Sequence, residues 1–451
     1  MTVDLTTPTS VHLVGIGGSG MSGLAMILHA MNHEVSGSDV VDSGVVQNLV
    51  SLGITVAVPH GDLPKRAVIV SRSSAISDDN VELLQAVERG LEVLSRADLL
   101  SSIAAQRATL AVAGTHGKST TTAMLATILL AADRDPSWLV GGSAPSLGQS
   151  AHWGSGPDFV LEADESDGTF LRLNASGGIV TSVEADHLDY YGSLEALQSA
   201  FRTFLTSIDG PRVVCADDPG AFSLVGIGKV ITYGLSDGAD VRATDVHPGP
   251  FDITAVVHAG GKTARLELAV PGEHNLRNAL GAIALSLARD VEVGQACEAL
   301  ASFRQVGRRF ERKGQVRGAV IVDDYAHLPG EISAILHAAR QGGWHRVLAV
   351  FQPHRYSRTA ALWREFADAF VEADELILTD VYGAGELPIP GVDGHLLVRS
   401  VLDAHRYARV AYFPKRESLA TYVGSHIRSG DLVLTMGAGD ISSLGDELGA
   451  Q

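Results

Sequence analysis

The stretch that most constrains the fold is residues 109–131. There an apolar run, TLAVA, enters Gly114-Thr115-His116-Gly117-Lys118-Ser119-Thr120 and continues as TTAMLATILLA. An apolar strand, a glycine-bracketed loop and a helix-forming segment, in that order, belong to an α/β fold with a parallel sheet. The first turn of such a helix has amides with no partner inside the helix, and its dipole favours negative charge. The loop is therefore a cradle for phosphates, with Lys118 placed to reach β/γ oxygens and Ser119 to bind Mg²⁺. It is a shortened version of the usual pattern, because Val112 stands where the first glycine would be.

Two acidic clusters follow. The predicted strand 159–162 runs into Glu162, Asp164, Glu165 and Asp167. The predicted strand 179–183 runs into Glu184, Asp186, His187 and Asp189. Carboxylates crowded this closely repel one another unless some face solvent or a cation. Beside a phosphate loop they fit Mg²⁺, with Mn²⁺ as an alternative, since these ions take oxygen ligands and phosphates.

The N-terminal segment repeats the logic with a different loop. A predicted strand at 11–14 enters Gly15-x-Gly17-Gly18-Ser19-Gly20, and a helix-forming run reaches Met31. Asp39 lies 19 residues past Gly20, where an acid can meet a ribose hydroxyl. Ser38 precedes it. The pattern fits NAD, FAD, NADP or any other nucleotide diphosphate. Further strands are expected at 67–70 and 91–94, with Arg72, Ser73 and Ser74 at a strand end, where open α/β sheets bind ligands.

Beyond residue 211 short strands are expected, with a hairpin across Ala259-Gly260-Gly261. A helix is entered through Asn275, and Asn278 lies one turn further on the same face. Arg308, Arg309 and Arg312 form a local basic group in an acidic chain, a candidate anion site. From about Lys313 the chain is βα-repetitive, with strands expected at 319–323, 347–351, 375–379, 410–413 and 432–436, a doubly wound parallel sheet. Two strand ends carry polar groups: Asp323-Asp324-Tyr325-Ala326-His327 and Gln352-Pro353-His354-Arg355-Tyr356-Ser357-Arg358. In a helical turn Arg355 and Arg358 would share a face and clamp a carboxylate.

Composition narrows the function. With 34 Lys and Arg against 52 Asp and Glu, the chain of 451 residues has a formal net charge of −18. A duplex nucleic acid needs a basic face, so none is expected as a partner. The two cysteines, Cys215 and Cys297, form no metal-ligand spacing and fit buried positions in a reducing compartment. No apolar stretch approaches the length of a membrane span, so no membrane partner is expected. The N-terminal residues lack an apolar leader pattern, and a cytoplasmic location is expected.

The strings AGTHGKSTTT, LEADESD, VEADHLD, GEHNLRNAL, GRRFE, VDDYAH and FQPHRYSRT, with GIGGSGMSGLA ahead of them, occur in the order seen in the Mur ligases of peptidoglycan synthesis. The chain resembles that family over nearly its whole length, and FQPHRYSRT points to the branch that adds L-alanine. The resemblance implies three α/β domains: a Rossmann-like domain for a UDP-sugar at 1–107, a P-loop ATP domain at 108–311 and a second Rossmann-like domain at 312–451. It implies that ATP phosphorylates the lactyl carboxylate of UDP-N-acetylmuramate and that L-alanine attacks the acyl phosphate. It puts Gly15, Gly17, Gly18, Ser19, Gly20, Ser38, Asp39, Arg72, Ser73 and Ser74 on the UDP-sugar. It puts the loop 114–120, Asn275, Asn278, Arg309 and Asp324 on ATP, and Ser119, Glu162 and His187 on the metal. His327, His354, Arg355 and Arg358 would line the amino-acid site, with either histidine able to take the amine proton. Some relatives carry a carbamylated lysine on the helix after the second acidic motif; here that helix, LEALQSAFRTFL, contains no lysine, and the modification is not expected. A monomer or weak homodimer is expected.

Three other readings explain less. A nicotinamide-dependent oxidoreductase accounts only for the first loop, and a regulatory P-loop NTPase only for the second. A recycling ligase that adds a whole peptide to the same sugar nucleotide fits all but FQPHRYSRT.

Overall fold

The computed structural model describes residues 3–142, 144–304 and 307–449, without the side chains of Ser19, Asp189 and Ile227. The chain forms two compact units. One comprises Met1–Thr244, Val256–Arg265 and Arg277–Leu300; the other Asp245–Ala255, Leu266–Leu276 and Ala301–Gln451.

The first unit opens with five parallel strands, β1 (Ser10–Val14), β2 (Glu34–Ser38), β3 (Thr55–Ala57), β4 (Ile69–Arg72) and β5 (Val93–Ser95), in the order β3-β2-β1-β4-β5. The chain moves outward from β1 in one direction and then returns to its other side. That reversal leaves a crevice above the carboxyl ends of β1 and β4, the place where such sheets take ligands. Two expected strands start later than the apolar runs imply. The Ala67 amide closes a turn onto Pro64, and the Leu91 amide closes the end of the helix Val81–Glu88 on Ala86.

A ten-stranded sheet follows. Its strands are β6 (Ala108–Ala113), β7 (Ser137–Leu139), β8 (Ala151–His152), β9 (Asp158–Glu162), β10 (Gly177–Val180), β11 (Arg212–Cys215), β12 (Ile231–Gly234), β13 (Val241–Pro248), β14 (Ile253–Ala259) and β15 (Lys262–Leu268), in the order β15-β14-β13-β12-β11-β10-β6-β9-β7-β8. β6, which feeds the loop 114–117, is central and buried from Thr109 onward. β14 and β15 are joined through Gly260-Gly261, both at positive φ (55° and 77°), the geometry of a tight hairpin turn. β10 stops at Val180, short of the expected 183, because Thr181 and Ser182 turn to serve the loop after β6. The helix Glu273–Leu287 begins two residues before Asn275, which therefore lies inside its first turn and is not its entry.

In the second unit lie β16 (Glu311–Val316), β17 (Ala319–Asp324), β18 (Arg346–Phe351), β19 (Glu375–Thr379), β20 (Val410–Phe413) and β21 (Asp431–Met436), ordered β16-β17-β21-β18-β19-β20. All neighbours are parallel except β16 and β17. The antiparallel edge strand β16 is an addition to the expected five, because ERKGQV has no apolar run to announce it. Alternation along the strands builds two cores. Val320, Val322, Ala349, Phe351 and Leu434 face one layer, and Ile321, Leu348, Val350 and Val433 the other. Side chains such as Phe351 are fully buried, and truncation of one to alanine costs ~3–5 kcal/mol.

Candidate functional site

The loop after β6 is shaped by what touches it. Gly114 and Gly117 adopt φ of 138° and 80°, left-handed values that favour glycine. A Cβ on Gly114 would collide with Thr181 Oγ1, and one on Gly117 with Asn278 Oδ1. The Thr115 amide donates to Ser182 O at 2.9 Å and the His116 amide to Ser182 Oγ at 3.0 Å. Thr181 Oγ1 donates to His116 O. Thr181 and Ser182 escaped sequence reading, because two small hydroxyl residues at a strand end have no motif of their own.

The helix Lys118–Ala131 begins at the loop's end, so its first amides face the loop. Lys118 Nζ donates to Gly114 O at 2.6 Å, to Thr115 O at 3.3 Å and to Glu165 Oε1 at 2.8 Å. Burial works against the Lys118 charge, but Glu165, Glu162 and Asp164 outweigh it and hold the ammonium above its ordinary pKa. Burial also pushes the Glu165 carboxyl up, and Oε2 of that carboxyl is buried without a hydrogen-bond partner among the described residues. Glu165 stood in the expected acidic cluster, but its pairing with Lys118 did not follow from spacing.

Of the residues expected at a metal, Glu162 accepts from the Gly141 amide at 2.9 Å. His187 is left-handed (φ 52°, ψ 32°) ahead of the short helix Leu188–Tyr191, a conformation costing about 1–2 kcal/mol in a non-glycine residue. Its carbonyl takes the Tyr190 and Tyr191 amides, and Tyr191 Oη donates to Glu165 O at 2.6 Å. His187 Nε2 lies 3.4 Å from Asp186 Oδ2 and 3.9 Å from Glu165 Oε1. Among the described residues no three His, Cys, Asp or Glu side chains converge as a protein-only metal cage. With Glu165 Oε2 buried and unpartnered, the donor set fits a hard cation that takes most of its ligands from phosphate and water.

The first sheet gathers the second group of expected residues at its carboxyl end. Gly15 N and Ile16 N donate to Ser38 O, and Gly17 N donates to Asp39 Oδ2 at 2.8 Å. Asp39 thus anchors the glycine loop with one oxygen and caps Val40 with the other. The Ser38 hydroxyl is turned away from the loop into a buried bond with Glu82. Arg72 pairs with Asp78 and bonds Ile76 O. Ser73 donates its amide to Val14 O at 3.0 Å, and Ser74 is exposed. The Ser19 side chain lies outside the described residues.

The second unit places the remaining groups at the carboxyl ends of β17 and β18. Asp324 is buried, with its oxygens accepting the Phe310 and Ala326 amides at 2.6 and 2.7 Å; burial pushes its pKa up to about 6, against the pull of Arg309. The three arginines do not form one cluster. Arg308 bonds Asp323 and Gly437 O, Arg309 lies 3.8 Å from Glu331, and Arg312 lies over the Phe251 ring. Asn275 Nδ2 donates to Pro271 O at 2.7 Å. Glu331, at the start of the helix Pro329–Arg340, accepts the His327 and Leu328 amides. His327 and Glu331 are four residues apart, the spacing that could have flagged the pair.

The histidines differ in their bonds. His327 Nδ1 lies 3.0 Å from Tyr325 O, which can only accept, so Nδ1 carries the proton and Nε2 a lone pair. His354 Nδ1 accepts from Arg358 Nη1 at 3.2 Å, and its ring stacks on Tyr382. Burial first, then Arg358, His327 and Arg355, push His354 down to about 4; burial likewise lowers His327. Arg355 precedes the helix Tyr356–Leu362 with φ 69° and ψ 134°, so it does not share a helical face with Arg358 as expected. Its amide bonds Tyr382 O, while its exposed guanidinium makes no hydrogen bond or ion pair with any described residue.

Three family models match the chain: the Mur ligase family catalytic domain at residues 10–108, the Mur ligase middle domain at 112–286 and the Mur ligase glutamate ligase domain at 308–439. A UDP-N-acetylmuramate–L-alanine ligase from Solidesulfovibrio magneticus is 45% identical over 441 residues, covering 96% of each chain. The crystal structure of a UDP-N-acetylmuramate-alanine ligase from Thermotoga maritima matches with a TM-score of 0.82 at 30% identity, over 98% of each chain. A murein peptide ligase from Psychrobacter arcticus shares the fold, with a TM-score of 0.70 at 24% identity over 98% of each chain.

Proposed function

The chain belongs to the Mur ligase family, and we propose the following assignment of its residues to the reaction. The enzyme is an ATP-dependent ligase that joins L-alanine to UDP-N-acetylmuramate in peptidoglycan synthesis. The lactyl carboxylate takes the γ-phosphoryl group, releasing ADP; the alanine amine then forms the amide as phosphate leaves.

Lys118 and the first amides of its helix neutralise the charge on the transferring phosphoryl group. The observation that carries this assignment is the Lys118 ammonium, held protonated at the loop by Glu165. When bound, Mg²⁺ supplies charge neutralisation on the phosphates, with Ser119, Glu162 and His187 as its candidate protein ligands. Asn275, Asn278, Arg309 and Asp324 are carried as ATP contacts.

Arg355, whose guanidinium makes no hydrogen bond or ion pair with any described residue, takes the alanine carboxylate, and Arg358 holds His354 in place. His327 is the better base of the two histidines. Its Nε2 makes no hydrogen bond with any described residue and its Nδ1 proton is anchored on Tyr325 O, whereas the His354 Nδ1 lone pair is occupied by Arg358. Gly15, Gly17, Gly18, Ser19, Gly20, Asp39, Arg72, Ser73 and Ser74 hold the UDP-sugar, and Ser38 shapes their loop through its carbonyl.

The test is phosphate release from ATP with Mg²⁺ and UDP-N-acetylmuramate, with and without L-alanine. Release should require all three substrates. Release with the wall tripeptide in place of L-alanine would overturn the choice of amino acid, and release without the sugar nucleotide would overturn the ligase.

A further inference from the structure

Two tyrosines of the second acidic motif reach back to the first. They close the short helix Leu188–Tyr191, and the His187 carbonyl ahead of it accepts the Tyr190 and Tyr191 amides at 3.0 and 3.1 Å. Tyr191 Oη spans to Glu165 O at 2.6 Å, between residues 26 positions apart. The Tyr190 ring stands at Gly168, where a Cβ would meet Tyr190 Oη at 2.6 Å. The two rings meet edge to face, with centroids 4.9 Å apart.

A carbonyl oxygen can only accept, so the Tyr191 hydroxyl is the donor. Glu165 O has two lone pairs, and the Gly168 amide takes the other at 3.1 Å. The carboxylate of the same residue meets Lys118 Nζ at 2.8 Å. Glu165 is thereby held at both ends, its main chain by Tyr191 and Gly168 and its side chain by Lys118.

The turn after β9 has reason to relax outward. Glu162, Asp164, Glu165 and Asp167 repel one another, and repulsion favours turning each carboxylate to solvent. Asp164 and Asp167 do turn outward, toward Arg96 at 3.7 and 3.4 Å, whereas Glu165 points inward. Bonds inside the turn, Ser166 N to Asp164 Oδ1 and Gly168 N to Glu165 O, curl it without setting its distance from the loop 114–117. The rigid Tyr191 ring ties it to the end of β10's following segment, beside His187, and so opposes that relaxation.

We propose that Tyr191 is a positioning residue for phosphoryl transfer: its hydroxyl fixes the Glu165 main chain, and Glu165 in turn fixes the Lys118 ammonium against the transferring group. This rests on the reading of Lys118 above. A charge set in place before the reaction stabilises the transition state without reorganising, so loosening it lowers kcat more than it weakens substrate binding. Without the hydroxyl, Glu165 O keeps only the Gly168 amide, and the carboxylate follows the turn away from Lys118.

The test is steady-state kinetics of the full chain and of Tyr191→Phe, alone and combined with Glu165→Gln. Tyr191→Phe should lower kcat about 3–10-fold, the scale of one lost hydrogen bond, with KM for L-alanine and for UDP-N-acetylmuramate within about twofold of wild type. In the Glu165→Gln background the same change should alter kcat less than about twofold, because the path through Glu165 is already broken. An unchanged kcat, or a loss that repeats in full on Glu165→Gln, overturns the proposal. 4-Aminophenylalanine at position 191 restores a ring donor and should recover most of kcat; a value as low as that of Tyr191→Phe also overturns it. Should Tyr191→Phe fail to fold, 4-fluorophenylalanine at position 191, which fills the space of the hydroxyl and donates nothing, takes its place under the same criteria. Wild-type turnover in Lys118→Ala would fail the reading of Lys118 itself, whereas turnover lost there and kept in Tyr191→Phe fails this proposal alone.

Discussion

Lys118 and Glu165 form a 2.8 Å ion pair in which the carboxylate is 1% exposed and one of its oxygens has no hydrogen-bond partner among the described residues. The pair holds the ammonium at the phosphate loop and leaves an acid whose burial is compensated only in part. Lys118→Ala should lower kcat by at least about 10²–10³-fold, the usual scale for removing a preorganised charge-stabilising group. It should also lower thermal stability by leaving Glu165 alone in the interior. Adding Glu165→Gln should restore stability without restoring turnover. Equal melting temperatures for the single and double variants would disconnect the two residues.

Arg355 and Arg358 should separate in kinetics. Arg355→Ala should raise KM for L-alanine about 10-fold or more and leave KM for ATP near its wild-type value, because a charge-assisted hydrogen bond to the carboxylate is lost. Arg358→Ala should act on kcat as well, since it frees His354 Nδ1. A rise in KM for ATP with Arg355→Ala would move that residue to the nucleotide.

Much of this geometry was legible in the residues because it follows from short-range rules. Apolar runs ending in glycine loops locate β1 and β6, and the strands at 375–379 and 410–413 fall where the βα-repetitive pattern puts them. What escaped was set by partners distant in sequence. Thr181 and Ser182 left β10 for the loop after β6, and Glu165 turned to Lys118 across 47 residues. Arg355 left its helix because its amide pairs with Tyr382 O. Strand order in the last sheet is also nonlocal: β21 inserts between β17 and β18, a choice no local pattern announces.

The two histidines of the second unit should differ as base and as support. His327→Gln should lower kcat by about 10²–10³-fold, within the range for general-base loss, with little change in KM for ATP. It should also remove the acid limb of the kcat profile. His354→Gln should leave that limb in place. The opposite pattern would exchange their roles.

Acid stability offers a check on His354 that does not depend on activity. Its folded pKa is depressed to about 4 from an ordinary 6.5, chiefly by burial. Below 6.5 the unfolded chain takes up a proton that the folded ring refuses, so stability falls with pH between about 6.5 and 4 and levels off below. His354→Gln should flatten that portion of the melting-temperature profile. A profile unchanged between wild type and variant would show that the ring is not held neutral by its surroundings.

On the proposed assignment, Asp39 would act on the sugar nucleotide through the glycine loop as well as by any contact of its own. Its Oδ2 holds the Gly17 amide at 2.8 Å and its Oδ1 caps Val40. Asp39→Ala removes both and frees the loop to move before the ligand arrives, so binding must bear the ordering entropy. KM for UDP-N-acetylmuramate should rise about 10-fold or more, with KM for ATP and L-alanine unchanged. Asp39→Asn keeps one carbonyl acceptor for Gly17 and loses the charge, so it should recover part of the affinity if the loop anchor dominates. It should resemble alanine if a direct bond from a ribose hydroxyl to the carboxylate dominates. An unchanged KM in both variants would remove Asp39 from the pocket.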